Sequence, residues 1–121
     1  MDVKGETSNL ISGDKVSGTN VYNAAGEKLG SIYDVMIEKQ SGKVAYAIMS
    51  FGGFLGIGND YHPLPWSTLN YNVQQGGYVV NLTREQLEGA PHYAESEPPT
   101  WDRDYETRVH DYYRSRPYWD M

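Results

Sequence analysis

Cysteine is absent from the chain. That excludes disulfides, thiolate metal sites and a cysteine nucleophile, and it fits the cytoplasm as the expected location. Long apolar runs are also missing, and none approaches the ~20 residues of a membrane-spanning helix. Residues Met1 to Asn9 hold no basic stretch followed by an apolar one, so they read as a disordered leader and not as a signal peptide. Cationic side chains are scarce as well. Ten Lys and Arg against sixteen Asp and Glu leave a net charge of −6. Direct nucleic-acid binding needs cations to displace phosphate counterions, so the balance argues against it, and equally against adsorption to anionic lipid.

What is present in excess is tyrosine, at eleven residues, with three tryptophans and only two phenylalanines. A chain of 121 residues forms one domain with room for one core. An aromatic fraction of 13% with low mean hydropathy suits a thin core with much half-buried surface, as in a small barrel or sandwich.

From Leu10 to Leu82 strand-like runs alternate with turn signals. Val16 to Tyr22 is the first run, closed by Asn23-Ala24-Ala25-Gly26, where Gly26 supplies positive φ. In Lys28 to Lys39, period-two alternation puts Leu29, Tyr33, Val35 and Ile37 on one face, and Gly30 points to a bulge or a close backbone approach. Lys43 to Phe51 is the most strongly β segment. Val44, Tyr46 and Ile48 alternate with Ala45, Ala47 and Met49, so both faces are expected to be covered. A glycine-rich loop follows at 52–59. Asp60 to Trp66 contains Pro63 and Pro65, which cannot donate to a ladder, and reads as an edge strand or irregular. Leu69 to Val73 and Tyr78 to Leu82 are the last strand candidates. Thr83-Arg84-Glu85-Gln86 spells a capping box, and Gly89 with Pro91 ends the short helix it opens. Ala94 to Thr100 is an acidic, proline-rich linker. Trp101 to Arg114 then has helical spacing, with Trp101, Tyr105, Val109 and Tyr112 on one face and Asp104–Arg108 as an i,i+4 ion pair.

Two blocks of this sequence, VYNAAGEKLGSIYDVMIEKQSGKVAYAIMSFGGFLGIGNDYHPLPWSTL and GGYVVNLTREQLEGAP, carry a wider likeness. With Gly26 and Gly30, the Ser41-Gly42 turn, the glycine-rich loop and Pro65-Trp66, the span from Leu10 to Pro91 resembles the PRC-barrel family. That family is named for the cytoplasmic domain of the photosynthetic reaction-centre H subunit and includes the C-terminal domain of ribosome-maturation factors. The tail, with Tyr112-Tyr113 and Pro117-Tyr118-Trp119, is similar to the extension of stand-alone bacterial members. The resemblance implies a mainly β fold: a small antiparallel β-barrel of about six strands, a short helix after the last strand, and a helical aromatic C-terminal extension. The expected organisation is a leader at 1–9, the barrel domain at 10–91 and the linker with extension at 92–121. The resemblance implies no enzymatic activity, no cofactor and no metal. Its members act through protein contacts, which makes a protein-interaction or assembly module, with a protein partner or self-association, the expected function.

Candidate sites follow from exposure and chemistry. Phe54, Leu55 and Ile57 in the glycine-rich loop form either an apolar patch for a partner or a cover over the barrel end; a small apolar ligand under that cover is the alternative function. The loop lacks the lysine and helix start that phosphate binding needs. Asp60 and His62, with Asp34, share too few ligands for a metal site, so an enzyme built on them is the weaker alternative. Trp66 reads as core. In the tail, Trp101, Tyr105, Val109, Tyr112, Tyr113, Tyr118 and Trp119 either dock on another subunit or protein, or fold back on the barrel to cover an edge strand.

Overall fold

The computed structural model describes residues 5–51 and 60–120. A one-turn helix α1 (Gly13–Val16) precedes four strands, β1 (Asn20–Asn23), β2 (Lys28–Ile37), β3 (Val44–Phe51) and β4 (Asp60–Pro65). After a 3-10 turn at Trp66–Thr68 come β5 (Asn70–Asn72) and β6 (Gly77–Val80), helix α2 (Arg84–Glu88), a two-residue strand β7 (Tyr93–Ala94) and helix α3 (Arg103–Tyr113).

The strands form one seven-stranded sheet in the order β5-β6-β1-β2-β3-β4-β7. This corrects the expected six-stranded antiparallel barrel in three ways. The ladder is open, because the end strands β5 and β7 do not pair with each other among the described residues. One pairing, β1 with β6, is parallel. A seventh strand comes from the segment read as linker. The sheet nevertheless wraps strongly, since side chains from strands far apart in its order share one core. Val80 of β6, Val21 of β1, Ile32 of β2, Met49 of β3 and Leu64 of β4 all belong to that cluster, which Leu87 of α2 helps to fill.

Local chemistry explains most of the elements. The Thr83 hydroxyl accepts from the Gln86 N–H at 3.0 Å, and the Gln86 side chain accepts from the Thr83 N–H at 2.7 Å, so the capping box fixes the start of α2 and thereby seats Leu87. Gly30 pairs with Phe51, and a Cβ there would overlap the Ser50 carbonyl oxygen, so the β2–β3 approach requires glycine. Pro63 and Pro65 stand opposite Ile48 and Tyr46 in a continuous β3–β4 ladder. They share one parity, which puts their missing N–H groups on the outer side of β4. On that side β7 pairs only with Asp60 and Tyr61, before the prolines begin.

Three expectations for local structure are corrected. Val16 ends α1 and is not the start of a strand. The alternation of β2 is broken by a register shift between Ile32 and Asp34, which leaves Tyr33 outside the ladder; Tyr33 and Ile37 are exposed while Leu29 and Ile32 are buried. Asp104 and Arg108 do not form the expected ion pair; Arg108 instead lies over the Tyr105 ring at 5.5 Å.

Candidate functional site

β3 is buried on both faces, and its second face builds the most elaborate cluster in the molecule. Tyr46 and Ile48 point away from the wrapped core and are covered by α3, which contributes Tyr105 and Val109. Asp102 caps α3 by accepting from the Tyr105 N–H at 2.9 Å. At the other end Arg114 takes a left-handed φ of 53° and its N–H donates to the carbonyls of Asp111 and His110. The chain then doubles back, with the Ser115 N–H also on the His110 carbonyl at 3.0 Å, and a 3-10 turn at Tyr118–Asp120 closes the hook.

Beneath the hook lies a buried polar chain. The Tyr46 hydroxyl donates to Glu106 Oε1 at 2.9 Å, and the Tyr118 hydroxyl donates to the same oxygen at 2.8 Å. His110 Nε2 lies 2.9 Å from the Tyr46 oxygen, and His110 Nδ1 lies 2.8 Å from Ser115 Oγ. A phenol has one proton, and that of Tyr46 faces the carboxylate. His110 Nε2 must therefore carry a hydrogen and donate to the phenol oxygen, leaving Nδ1 to accept from Ser115. Proton donation then runs in one direction, from Ser115 through His110 and Tyr46 to Glu106. Burial pushes the His110 pKa down, against the nearby carboxylates of Glu106 and Asp111, and so favours this neutral ring. Burial and the Glu106 carboxylate hold the Tyr46 phenol far above its usual range, and the same two causes push Tyr118 up to about 12. Both phenols are donors at any ordinary pH.

The structure thus brings Trp101, Tyr105, Val109, Tyr113 and Tyr118 together on the sheet of their own chain, over the outer face of β3 and β4. Trp101 lies 5.5 Å from the Tyr46 ring. One tail residue sits apart. Tyr112 is half exposed, with its hydroxyl on the Gln86 carbonyl of α2. Trp119 joins the cluster edge-on to Tyr118 and His110, with ring centres 5.0 and 5.4 Å away, and packs under the Arg103 guanidinium at 3.7 Å. Phe54, Leu55 and Ile57 lie outside the described residues. Trp66 is only partly buried, edge-on to Tyr78 at 5.4 Å. Glu106 and His110 were not singled out from sequence. Their signal was an acid and an imidazole four apart on a helix, flanking an apolar stripe and so within reach of whatever that stripe covers.

Asp60 and His62 do not form an acid–base pair. Asp60 instead approaches His92 Nε2 at 3.9 Å, and His62 stacks on His92 with ring centres 5.2 Å apart. His62 is buried, edge-on to Phe51, and its Nδ1 has no hydrogen-bond partner. Desolvation, with His92 beside it, lowers its pKa to about 4. Asp34 accepts only from the Val35 N–H and is exposed. Among the described residues no three His, Asp or Glu side chains are placed to hold a metal ion, and no helix is long and apolar enough to cross a membrane.

The PRC-barrel domain family model matches residues 8–87. A protein of Deinococcus radiodurans, described as uncharacterized, is 24% identical over 76 residues, which are 63% of this chain and 27% of that protein. The chain therefore spans about a quarter of that relative's length. With the family match extending over well more than half of its residues, the chain belongs to the PRC-barrel domain family.

Proposed function

We propose that this domain is a non-enzymatic protein-interaction module, cytoplasmic in setting, which assembles through the free edge of its sheet at β5. What supports a binding role over chemistry is how the ionisable groups are used. Glu106, His110, Tyr46 and Tyr118 are spent on one another beneath the tail, and His62 is held neutral in the core.

The observation that carries the choice of surface is the contrast between the two ends of the sheet. At one end β7 and the two prolines of β4 leave little to pair with. At the other, β5 has β6 on one side only; Tyr71 and Val73 are exposed, and the Tyr71 hydroxyl donates to Glu6 Oε2 of the N-terminal segment at 3.0 Å. Unpaired strand edges with apolar side chains template pairing with another chain, and two identical edges close on a two-fold axis. A second copy of this chain is the partner the edge fits. Light scattering on the full chain tests the reading. We expect a dimer that Tyr71→Lys with Val73→Lys converts to a monomer with unchanged circular dichroism. A monomer at all concentrations, or a dimer indifferent to both substitutions, overturns it.

A further inference from the structure

Where the hook of the tail meets the end of the β3–β4 ladder, the surface opens into a pocket of about 340 Å³. We propose that this pocket binds a small amphiphilic anion, an apolar body bearing a single carboxylate. The proposal does not rest on the pairing of β5, since no residue of β5 lines the pocket.

The pocket's walls are apolar. Val44 and Ala45 open β3, Pro65 and Trp66 leave β4, and the rings of His110 and Tyr118 come from the tail. Those rings bring no free hydrogen-bond donor. Both His110 nitrogens and the Tyr118 hydroxyl are already engaged in the chain that ends at Glu106. A neutral polar ligand would therefore find few partners inside, whereas an apolar body loses nothing by entering.

The charged side chains that line the pocket are of one sign, with the Glu38 carboxylate outside the lining but near enough to Tyr118 to push its pKa up. Lys43, on the turn into β3, and Arg116, on the returning tail, both line the pocket and are both exposed. Neither forms an ion pair among the described residues, and no acid is among the lining residues. In a chain of net charge −6, two unpaired cations converging on one apolar pocket give it a local polarity opposite to the whole. The Ser67 hydroxyl, also on the lining, adds a donor beside them. The volume lies at the small end of ligand pockets, which sets the ligand at the size of a bicyclic aromatic acid or a short fatty acid.

The site also depends on the tail. Arg116 and Tyr118 reach it only because Arg114 turns left-handed and reverses the chain. Without the hook, β3 and the 3-10 turn would present a flat apolar strip and a lone lysine.

Naphthoate is a suitable probe and naphthamide its neutral isostere. Titrated into the full chain and followed by amide NMR, naphthoate should shift Val44, Ser67 and the Trp66 indole N–H together to saturation, and naphthamide should bind about tenfold more weakly, since two exposed cations together supply that order of selectivity. The double variant Lys43→Ala with Arg116→Ala alters only exposed side chains; it should weaken naphthoate about tenfold and leave naphthamide unchanged, with an unaltered thermal midpoint. Equal binding of the two probes, shifts centred elsewhere on the protein, no shifts at all, or a double variant that binds naphthoate as the native chain does would each overturn the assignment.

Discussion

The two faces of β3 bury similar amounts of one strand in different ways. On the inner face Ala47, Met49 and Phe51 meet mostly aliphatic side chains gathered from four other strands and α2, and no side-chain hydrogen bond adds direction to that packing. On the outer face Tyr46 and Ile48 meet a single helix, and the contact is fixed by directed hydrogen bonds to Glu106 and His110. Dispersion and hydrophobic burial tolerate small slides, whereas a hydrogen-bonded chain with every proton assigned does not. The inner core is therefore expected to supply most of the stability, and the outer one the position of the tail. That division matters because both the hook and the pocket it forms exist only when α3 sits in one place.

The inner face gives the largest expected effect. Leu64 is fully buried among residues of β1, β2, β3 and β6. Leu64→Ala removes three heavy atoms and leaves a cavity between strands that cannot collapse independently, so urea denaturation should report a loss of about 2–5 kcal/mol. A loss under about 1 kcal/mol would mean that the wrapped sheet is not the main core and would reverse the comparison.

The two buried histidines sharpen it further. His110 has partners on both nitrogens, while His62, on the inner side, has none at Nδ1. The His62 pKa falls from 6.5 in the unfolded chain to about 4 in the fold. Between those values the unfolded state binds the extra proton, so stability is complete above about pH 6.5 and declines as pH falls toward about pH 4. The decline attributable to His62 should be on the order of 2 kcal/mol. Denaturation midpoints at about pH 7 and about pH 5 measure it, and His62→Leu should flatten the difference. An unchanged slope in that variant would assign the acid sensitivity to other groups.

How much of this was readable from sequence follows from the range over which each feature is decided. The capping box at Thr83, the glycine at position 30 and the two-sided apolar pattern of β3 are local and were legible. The alternation of β2 was misleading because its ladder with β3, a different segment, shifts register between Ile32 and Asp34. β7 is two residues long and owes its existence to the exposed start of β4, so no pattern within Tyr93–Ala94 announces it. The parallel pairing of β1 with β6 depends on how the whole sheet wraps. In the tail the aromatic face was plain, but its destination was not. An apolar stripe specifies that something covers it, and only Tyr46, sixty positions earlier, specifies what.

The smallest effects discriminate best, because they set tyrosines of one cluster against each other. Tyr46 and Tyr113 both pack at the α3 interface, and burial raises both pKa values. Their hydroxyls differ. That of Tyr46 serves Glu106 and His110, whereas that of Tyr113 is buried without a partner. Tyr46→Phe strips a donor from a buried carboxylate and an acceptor from an imidazole N–H, and should cost about 1–3 kcal/mol. Tyr113→Phe removes an unpaid desolvation, so it should be neutral or stabilise by up to about 1 kcal/mol. The opposite signs, measured by thermal denaturation of two variants that each lose one oxygen atom, would show that the outer core is held by the directed chain itself. Equal losses at both positions would reduce that face to ordinary packing, and the hook would then have no reason to hold its place.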